Sequence, residues 1–356
     1  MKIITCNREK SIKNIEITGV CDRHIRLFGE SLQEKLAIMT IGIVGAGGLG
    51  SVLVEQIMRL YPQKVLLIDK DYVELSNLNR LTNATLKDAH NKTTKVEVAK
   101  RAIHSFNPIQ DIEVINGDFL EKENQEVFKE CDMIFGALDS NAVRFAINQL
   151  SIAHGIPYLD CGTGIIIEEK KIKHVGGQII SVIPDSGMCL YCSELFDRQE
   201  AMKVFLDIDE QERLVNMGYI KGADIIAPQV YALNMQVAST AVWLFMRILS
   251  GERFNFHGIA IDAKAFSLNP WKNSEQDNKE CPICGENGVA FMGDEAELLC
   301  KNNNSANIPK MSIDSFDSIE NETVKESLSA YQYCYPRLII GDDKGFLNFE
   351  TMFGSI

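Results

Sequence analysis

Glycines in the first fifth of the chain have the spacing of a nucleotide-binding turn. Gly45, Gly47 and Gly50 follow the G-x-G-x-x-G pattern, with Gly48 inside it, directly after a short apolar run. Glycine permits a tight turn and lets the backbone approach a phosphate, and the helix that begins there offers unpaired N–H groups to an anion. Asp69 ends the next strand, where such folds place a carboxylate on ribose hydroxyls. The set predicts a nucleotide site but does not distinguish NAD, FAD and ATP.

Further charged and polar residues are expected at the same edge of the sheet. Arg80 and Lys95 are cations that suit a polyphosphate, and Asp139 is a carboxylate that suits a metal ion held between phosphates. Asp71 and Asn77 lie on the loop that follows the second strand. Taken singly, the two cations also fit solvated surface charges, and Asp139 also fits a helix N-cap. Their shared position favours ATP with Mg²⁺, because a dehydrogenase needs neither two cations near the glycine loop nor a carboxylate placed for a metal ion.

The elements that must position these residues alternate between strands and helices. A buried strand precedes the glycine turn, a helix follows it and ends before Pro62, and residues 65–68 form the next strand. Residues 88–105 predict a single helix. Residues 165–182 favour antiparallel hairpins, and residues 227–249 a long apolar helix. This predicts an α/β fold with a doubly wound, mostly parallel sheet, a Rossmann-like nucleotide-binding loop, antiparallel additions and a small C-terminal extension.

Composition limits the partners. The 356 residues carry 36 Lys and Arg against 49 Asp and Glu, a net charge of −13. This argues against nonspecific binding to nucleic acid or to an anionic membrane. The first ten residues have charges where a signal peptide would be apolar, and Arg247 interrupts the longest apolar helix candidate. We therefore predict a cytoplasmic protein whose ten cysteines are thiols and metal ligands rather than disulfides.

Several motifs together resemble the ThiF/MoeB/HesA superfamily of E1-like adenylating enzymes, which activate ubiquitin-like proteins, sulfur carriers and some peptides. The resemblance extends from about residue 23 to residue 285 and rests on residues 45–50, 69–71, 75–80, 95–97 and 138–144. It implies that the C-terminal carboxylate of a ubiquitin-like protein attacks the α-phosphorus of ATP and releases pyrophosphate. No strong general base is needed, because that carboxylate is already ionised at neutral pH.

The resemblance also assigns roles to individual positions. The glycine loop and Asp69 would bind the nucleotide, Arg80 and Lys95 its phosphates, and Asp139 the Mg²⁺ ion. Arg23 matches an N-terminal arginine that often reaches into the partner subunit, which implies a homodimer.

Two C-x-x-C pairs are candidates for a metal site. Cys189 and Cys192, with Cys281 and Cys284, would supply four thiolates to zinc. On spacing alone, two buried turns without a metal ion explain the pattern equally. Relatives commonly carry a structural zinc ion at these two places, so the resemblance implies Zn²⁺.

After adenylation, the activated carboxylate could be transferred directly or through a thioester. Many relatives that form a thioester have a cysteine within the segment matching residues 193–228, and this chain has none there, which favours direct transfer. If a thioester does form, Cys161, Cys300 and Cys334 are the alternatives, although each fits an ordinary thiol.

A narrower resemblance suggests a partner and a domain division. Residues 218–222 and 228–239 resemble the version of this fold found in bacterial operons that also encode E2-like and JAB-type peptidase proteins. We predict an adenylation domain over residues 1–285, with a crossover segment at 193–222. Residues 286–356 form an acidic C-terminal extension that is either a small module or a tail.

Three rival functions remain at this stage. An E1-like enzyme could activate a short peptide or another carboxylate, including a tRNA-linked one, without any ubiquitin-like partner. An NAD-dependent oxidoreductase would bind nicotinamide and would not depend on Arg80 or Lys95. An AMP-binding scaffold would bind nucleotide and catalyse no pyrophosphate exchange.

Overall fold

The computed structural model describes residues 17–168, 171–184, 186, 188–193, 201, 229–252, 254–272 and 278–300. Its strands are β1 (Thr40–Val44), β2 (Lys64–Ile68), β3 (Asp111–Ile115), β4 (Met133–Gly136), β5 (Tyr158–Glu168), β6 (Lys171–Val182), β7 (Gly258–Asp262) and β8 (Ser267–Trp271). Its helices are α1 (Ile17–Val20), α2 (Asp22–Phe28), α3 (Glu30–Leu36), α4 (Gly48–Met58), α5 (Leu86–Asn91), α6 (Lys95–Phe106), α7 (Lys122–Phe128), α8 (Asn141–His154) and α9 (Tyr231–Leu249). Short 3₁₀ turns lie at Leu75–Asn77, Asn278–Glu280 and Gly293–Glu295.

The strands form one sheet in the order β3-β2-β1-β4-β5-β6-β7-β8. The pairs from β3 to β5 are parallel, and those from β5 to β8 are antiparallel. The chain leaves β1 toward β2 on one side and later returns to β4 on the other. Folds of this kind bind ligands at such a reversal point, beyond the carboxyl ends of the strands. The predicted α/β fold with antiparallel additions is confirmed.

Both faces of the sheet are covered by apolar side chains. On one face, Ile43 and Phe135 pack with α4 and α9, and the Phe135 ring meets Phe245 edge-on at 5.5 Å between centroids. On the other face, Val44 and Leu66 pack with α7 and α8. Strands buried on both faces read as continuous apolar runs, which is why β1 and β2 could be located from the sequence.

The helix predicted over residues 88–105 is wrong, because two helices replace it. Lys92 has a left-handed backbone with φ of 49° and ends α5. Thr94 then caps α6 by accepting a hydrogen bond from the Glu97 N–H at 3.3 Å. Likewise, residues 165–182 do not form separate hairpins but belong to the single long pair β5–β6, with one irregularity at Ile166/Ile167.

Helix α9 confirms the predicted long apolar helix. Among the described residues it is the one helix whose length and composition would allow it to cross a membrane. Its side chains Val237, Ala241 and Phe245 are buried in the core, and the Gln56 amide of α4 donates to Ser239 Oγ at 2.9 Å. A core helix of this kind meets the same criteria of length and composition.

Parts of three predicted segments lie outside the described residues. They are most of the crossover at 193–222, the extension beyond residue 300 with Cys334, and the N-terminal ten residues with Cys6. Residues 286–300 are described and lie against α8. The Phe291 N–H donates to the Ile152 carbonyl at 3.1 Å, and the Leu299 N–H donates to Gln149 Oε1 at 3.1 Å. Packing therefore continues past residue 285, and the function of the extension stays a prediction.

Candidate functional site

The glycine turn lies between the carboxyl end of β1 and the start of α4. Gly45 has a φ of +98°, a conformation that favours glycine, and a Cβ there would lie 2.6 Å from the Ala137 carbonyl oxygen. A Cβ on Gly50 would collide with the Gly45 carbonyl. Gly47 differs, because no described atom lies within 4 Å of the place where its Cβ would be. The packing of the chain therefore requires glycine at 45 and 50, whereas the space beside Gly47 is open to a ligand.

Asp69 fixes the turn from the neighbouring strand. Its Oδ2 accepts a hydrogen bond from the Ala46 N–H at 2.6 Å, and its Oδ1 accepts one from the Asp71 N–H at 2.8 Å. Burial raises the pKa of the Asp69 carboxyl, and the charge of Lys95 and these two N–H donors partly oppose that rise. The predicted nucleotide-binding acid is thus part of the framework of the loop.

Lys95 lies beside these acids at the first position of α6. Its ammonium is 2.7 Å from Asp71 Oδ2, and its side chain is only 12% exposed. The Lys95 backbone N–H also donates to the Asp71 carbonyl at 3.0 Å, which ties the start of α6 to the loop after β2. The structure therefore brings Lys95, Asp71 and Asp69 together next to the glycine turn.

Arg80 crosses the N-terminus of α4. Its Cγ and Cδ lie 3.1 and 3.2 Å from the place where a Cβ on Gly48 would be. The guanidinium donates from Nε to Gln229 Oε1 at 2.8 Å, and from Nη1 to the Ser76 carbonyl at 2.5 Å and to Asn79 Oδ1 at 3.2 Å. Within the described part of the chain these partners are all neutral. Among the described residues, no carboxylate therefore pairs with this positive charge at the helix N-terminus.

Asn77 shapes the loop that carries Arg80. The Asn77 side chain accepts from the Glu74 N–H at 3.2 Å and closes the 3₁₀ turn with a capping box. The Arg80 N–H in turn donates to the Asn77 carbonyl at 2.9 Å. The loop geometry explains this asparagine, and its predicted contact with the nucleotide stays a prediction.

Asp139 is exposed and lies in the loop between β4 and α8. The residue that caps α8 is Ser140, whose hydroxyl accepts from the Val143 N–H, so the alternative that Asp139 is the cap is wrong. The same loop packs on the glycine turn, because a Cβ added to Gly45 would collide with Ala137 and Leu138 of this loop. Asp139 therefore lies in a loop that packs on the glycine turn, and it does not cap α8.

No described contact joins Arg23 to the other predicted residues of the nucleotide site. It lies on α2 with 89% of its side chain exposed, and its Nε is 3.8 Å from Asp22 Oδ2. Helix α2 reaches α9 through Phe28 and Trp243, whose ring centroids are 5.6 Å apart. The predicted role of Arg23 in a partner subunit stays a prediction.

A buried polar network beneath the Asp139 loop is absent from the predictions. Arg144 donates from Nε and Nη2 to the Asp160 carboxylate at 3.0 and 2.6 Å, and from Nη1 to Asn141 Oδ1 at 2.8 Å. The Tyr158 hydroxyl donates to the same carboxylate at 2.6 Å, and burial raises its pKa far above the usual range. Paired in this way, the two charges hold the first turn of α8 on β5 and so fix the loop before it. The sequence contains a signal for this pair: Arg144 lies among apolar residues of a helix, and Asp160 lies inside the strand that follows.

The four cysteines of the two C-x-x-C pairs converge. Their sulfurs all lie within 4.8 Å of one another. The Sγ–Sγ distances are 3.9 Å for Cys189–Cys281, 3.9 Å for Cys189–Cys192 and 3.7 Å for Cys192–Cys284. Tetrahedral zinc with Zn–S bonds of about 2.3 Å spaces its sulfurs about 3.8 Å apart. The donor set therefore has the number, type and spacing that fit a structural zinc ion.

The other candidate thiol near the site is poorly suited to attack. Cys161 is 1% exposed, and burial raises its pKa well above the ordinary value. Because the thiolate is the nucleophile, a thiol held protonated in the core is unreactive. Cys300 is buried as well. Neither residue has the exposure that a thioester-forming cysteine needs.

Known protein sequences resemble the chain over most of this structure. The sequence profile of the ThiF family matches residues 21–283. The sulfur carrier protein ThiS adenylyltransferase of Bacillus subtilis (strain 168) is 28% identical over 286 residues, covering 77% of this chain and 74% of that protein. Ubiquitin-like modifier-activating enzyme 5 of Gallus gallus is 31% identical over 172 residues, covering 45% and 41%. The match to the latter thus spans less than half of either protein.

Solved structures share the fold at low sequence identity. E. coli MccB crystallised with ATP superposes with a TM-score of 0.55 at 18% identity, covering 78% of this chain and 76% of that one. The microcin C7 biosynthetic enzyme MccB, in complex with N-formylated MccA, gives a TM-score of 0.57 at 15% identity, covering 80% and 77%. At these identities the likeness shows a common architecture.

Proposed function

Since the chain belongs to the ThiF family, we propose that it is an ATP-dependent adenylyltransferase acting on the C-terminal carboxylate of a ubiquitin-like protein. The observation that carries the proposal is the approach of two cations to one glycine turn from separate segments. Arg80 lies on Gly48, and Lys95 pairs with Asp71, whose N–H donates to Asp69, the acid that holds the turn. Adenylyltransferase relatives such as the Bacillus subtilis protein support the reaction type.

The reaction joins two anions, so the site must offset their repulsion. A carboxylate oxygen forms a bond to the α-phosphorus, the bond from that phosphorus to pyrophosphate oxygen breaks, and the electron pair leaves with pyrophosphate. Arg80, with no carboxylate partner among the described residues, and Lys95 would neutralise the phosphates. The exposed carboxylate of Asp139 is an oxygen ligand of the kind that Mg²⁺ takes, and a bound Mg²⁺ would supply further positive charge to the phosphates.

Pyrophosphate exchange into ATP tests this function and its rivals. The carboxyl donors are purified ubiquitin-like and sulfur carrier proteins from the same genome, each in full length and without its last two residues. We expect exchange with a full-length protein only, because the reacting carboxylate lies at the end of the tail. Nucleotide binding without any exchange would indicate a scaffold, and binding of NADH in its place would indicate an oxidoreductase.

A peptide substrate is the second candidate. It is suggested by the superfamily resemblance, whose members include enzymes that activate peptides, and by the fold shared with MccB, whose structure was solved in complex with N-formylated MccA. In the same exchange assay, short synthetic peptides with free C-termini would then act as donors, and the ubiquitin-like proteins would not.

The raised pKa of Asp69 predicts how nucleotide affinity depends on pH. The ionised carboxylate is the form that accepts the loop N–H groups and would accept ribose hydroxyls. Because the folded pKa lies above the ordinary value near 3.9, affinity for ATP should be constant above that raised pKa and fall as pH drops through it. Titration calorimetry from pH 8 down to the lowest pH at which the protein stays folded measures this. The Asp69→Asn variant should bind more weakly and without the acid-side decline, and an unchanged decline in that variant would assign the dependence to another group.

We also propose a homodimer with Arg23 at the subunit contact. Large apolar side chains are exposed nearby on α2 and α9, including Leu27 at 63% and Trp243 at 50%. Exposed apolar groups that cluster on one surface indicate a protein contact. Sedimentation velocity at micromolar concentration should give a dimer, and a monomer at all concentrations would contradict this part of the proposal.

Three further parts of the proposal rest on the sequence and the relatives. The cysteine cluster is proposed to bind one structural Zn²⁺ per chain. An E2-like protein is proposed as the acceptor of the activated substrate. To test this, the two proteins are mixed with ATP and a ubiquitin-like substrate, and a thioester band is sought on a non-reducing gel. The cytoplasm is the proposed location, and cell fractionation would test it.

A further inference from the structure

Asn234 is a buried residue of α9 whose amide has unused hydrogen-bonding capacity. The residue is 1% exposed. Its Oδ1 accepts from the Thr163 hydroxyl at 3.4 Å, and within the described part of the chain its Nδ2 has no hydrogen-bond partner. A buried donor without a partner has lost its hydrogen bonds to water with no replacement, so such a group in a folded protein calls for an explanation.

The free amide nitrogen lies at the glycine turn. A Cβ on Gly48 would be 2.6 Å from Asn234 Nδ2, so the nitrogen packs against the first residue of α4. The Arg80 stem packs against the same glycine. The start of α4 has unpaired N–H groups and the positive end of the helix dipole. An uncharged donor, a cation and a helix N-terminus therefore meet at one residue.

The order of the strands separates the two reactants of the proposed reaction. Asp69 follows β2 on one side of the turn, whereas Asn234 is held by Thr163 of β5 on the other side. With the ribose on Asp69 and the phosphates at Gly47 and Gly48, the carboxylate would approach the α-phosphorus from the β5 side. Asn234 lies on that side of the turn, next to Gly48.

The chemistry of the donor fits the acyl group better than the phosphates. A cation bonded to the attacking carboxylate would withdraw electron density from the nucleophile, whereas a neutral amide perturbs it less. The amide can also keep the same hydrogen bond to the carbonyl oxygen of the acyl-adenylate. No proton moves in this step, because the amide stays intact while the carboxylate oxygen bonds to phosphorus and pyrophosphate departs.

Arg80 can expose this donor when nucleotide binds. Its present partners are neutral, and a phosphate offers charge-assisted hydrogen bonds that are about twice as strong. A shift of the guanidinium to the phosphates would draw its stem off Gly48 and open the space next to Asn234. On the basis of the function proposed above, we propose that Asn234 binds the terminal carboxylate of the substrate and holds it for attack.

Two nucleotide probes separate this role from a structural one. One is α,β-methylene-ATP, which has no acyl group, and the other is 5′-O-(N-glycylsulfamoyl)adenosine, a stable mimic of an acyl-adenylate. Isothermal titration calorimetry with the full chain should show that Asn234→Ala weakens the acyl mimic about tenfold, the effect of one lost hydrogen bond. Affinity for α,β-methylene-ATP should change less than about twofold.

Two other variants serve as controls. Ser239→Ala removes an exposed hydroxyl from the same helix and should change neither affinity. Thr163→Val keeps the volume but removes the hydroxyl that orients the amide, so it should weaken the acyl mimic alone and by less. If Asn234→Ala melts at a lower temperature than wild type, its affinities cannot separate the two roles, and the Thr163→Val variant is used instead. Selective weakening of the acyl mimic by Thr163→Val supports the role in carboxylate binding, and equal or no weakening contradicts it.

The outcomes are distinguishable. Equal weakening of both probes would show that Asn234 acts on the shape of the turn, and no weakening would show that the donor is unused, so either result overturns this role alone. Wild-type protein that binds neither probe would overturn the proposed function together with this inference.

Discussion

Replacing Arg80 with alanine is expected to reduce pyrophosphate exchange about 10²–10³-fold, the usual loss when one donor to a developing charge is removed. Arg80 lies on Gly48 at the start of α4, where the phosphates would lie. Its partners in the structure are an amide side chain and neutral oxygens, so the guanidinium is available to an anion. The loss should appear mainly in kcat, since the leaving pyrophosphate is more negative in the transition state than in bound ATP.

The fold should tolerate this change. The three hydrogen bonds of Arg80 are exposed, and exposed polar contacts contribute little to the free energy of unfolding. Thermal unfolding and circular dichroism of the Arg80→Ala variant should therefore match wild type. Arg80→Lys should recover only part of the activity, because an ammonium cannot reproduce the planar, forked donors of a guanidinium.

Arg59 supplies a matched control on the other end of α4. Its guanidinium pairs with Glu55 at 3.3 Å and lies over the Phe106 ring, away from the glycine turn. Arg59→Ala removes the same charge and should leave exchange unchanged. Asp139→Ala should instead cause a loss as large as that of Arg80→Ala. Wild-type exchange rates in both Arg80→Ala and Asp139→Ala would remove these residues from the mechanism and would contradict the adenylation proposal.

The glycine turn and the parallel strands could be predicted because their causes are local in sequence. A strand buried on both faces is a continuous apolar run. The turn after β1 needs glycine at 45 for its positive φ and at 50 for its contact with the Gly45 carbonyl, and both reasons operate within a few residues. The split of residues 88–105 into α5 and α6 was equally local. Thr85 with Asp88, and Thr94 with Glu97, have the spacing of helix caps, so the sequence contained a signal for both starts.

Features that depend on distant packing could not be predicted from spacing. Asn234 meets Gly48 only because α9 lies on α4, and nothing in the local sequence of α9 distinguishes this asparagine from a surface residue. The Arg144–Asp160 pair likewise needs α8 to pack on β5 before two opposite charges become a single buried unit. Arg80 and Lys95 were singled out by their motifs, but only the folded chain shows that they approach the same turn.

The cysteine pairs are an intermediate case. Each C-x-x-C turn is visible in the sequence, but the pairs are separated by 92 residues, so spacing alone does not show that they meet. The fold brings Cys189 to Cys281 and Cys192 to Cys284 at the end of the sheet beyond β6. Four sulfurs within 4.8 Å of one another are hard to account for by apolar packing, because four adjacent thiols fill space no better than ordinary apolar side chains.

Replacing Cys281 with serine is therefore expected to lower the midpoint of thermal unfolding by about 5 °C. Three thiolates and a hydroxyl bind zinc weakly, and loss of a metal ion that links two distant segments costs several kcal/mol. With an unfolding entropy of about 2.1 cal/mol/K per residue, each kcal/mol corresponds to about 1.3 °C in a chain of 356 residues. The ion would tie residues 189–192 to residues 281–284, just before the stretch that packs on α8 through Phe291 and Leu299.

Metal analysis and chelation make this test specific for zinc. Wild-type protein should contain one zinc ion per chain, and a strong chelator should lower its melting temperature toward that of Cys281→Ser while leaving the variant unaffected. Cys300→Ser is the matched control, because it alters a buried thiol outside the cluster and should retain the ion. If wild-type protein contains no metal and melts identically with and without chelator, the four cysteines are a packed thiol cluster. The stability of this end of the sheet would then come from the contacts with α8 alone.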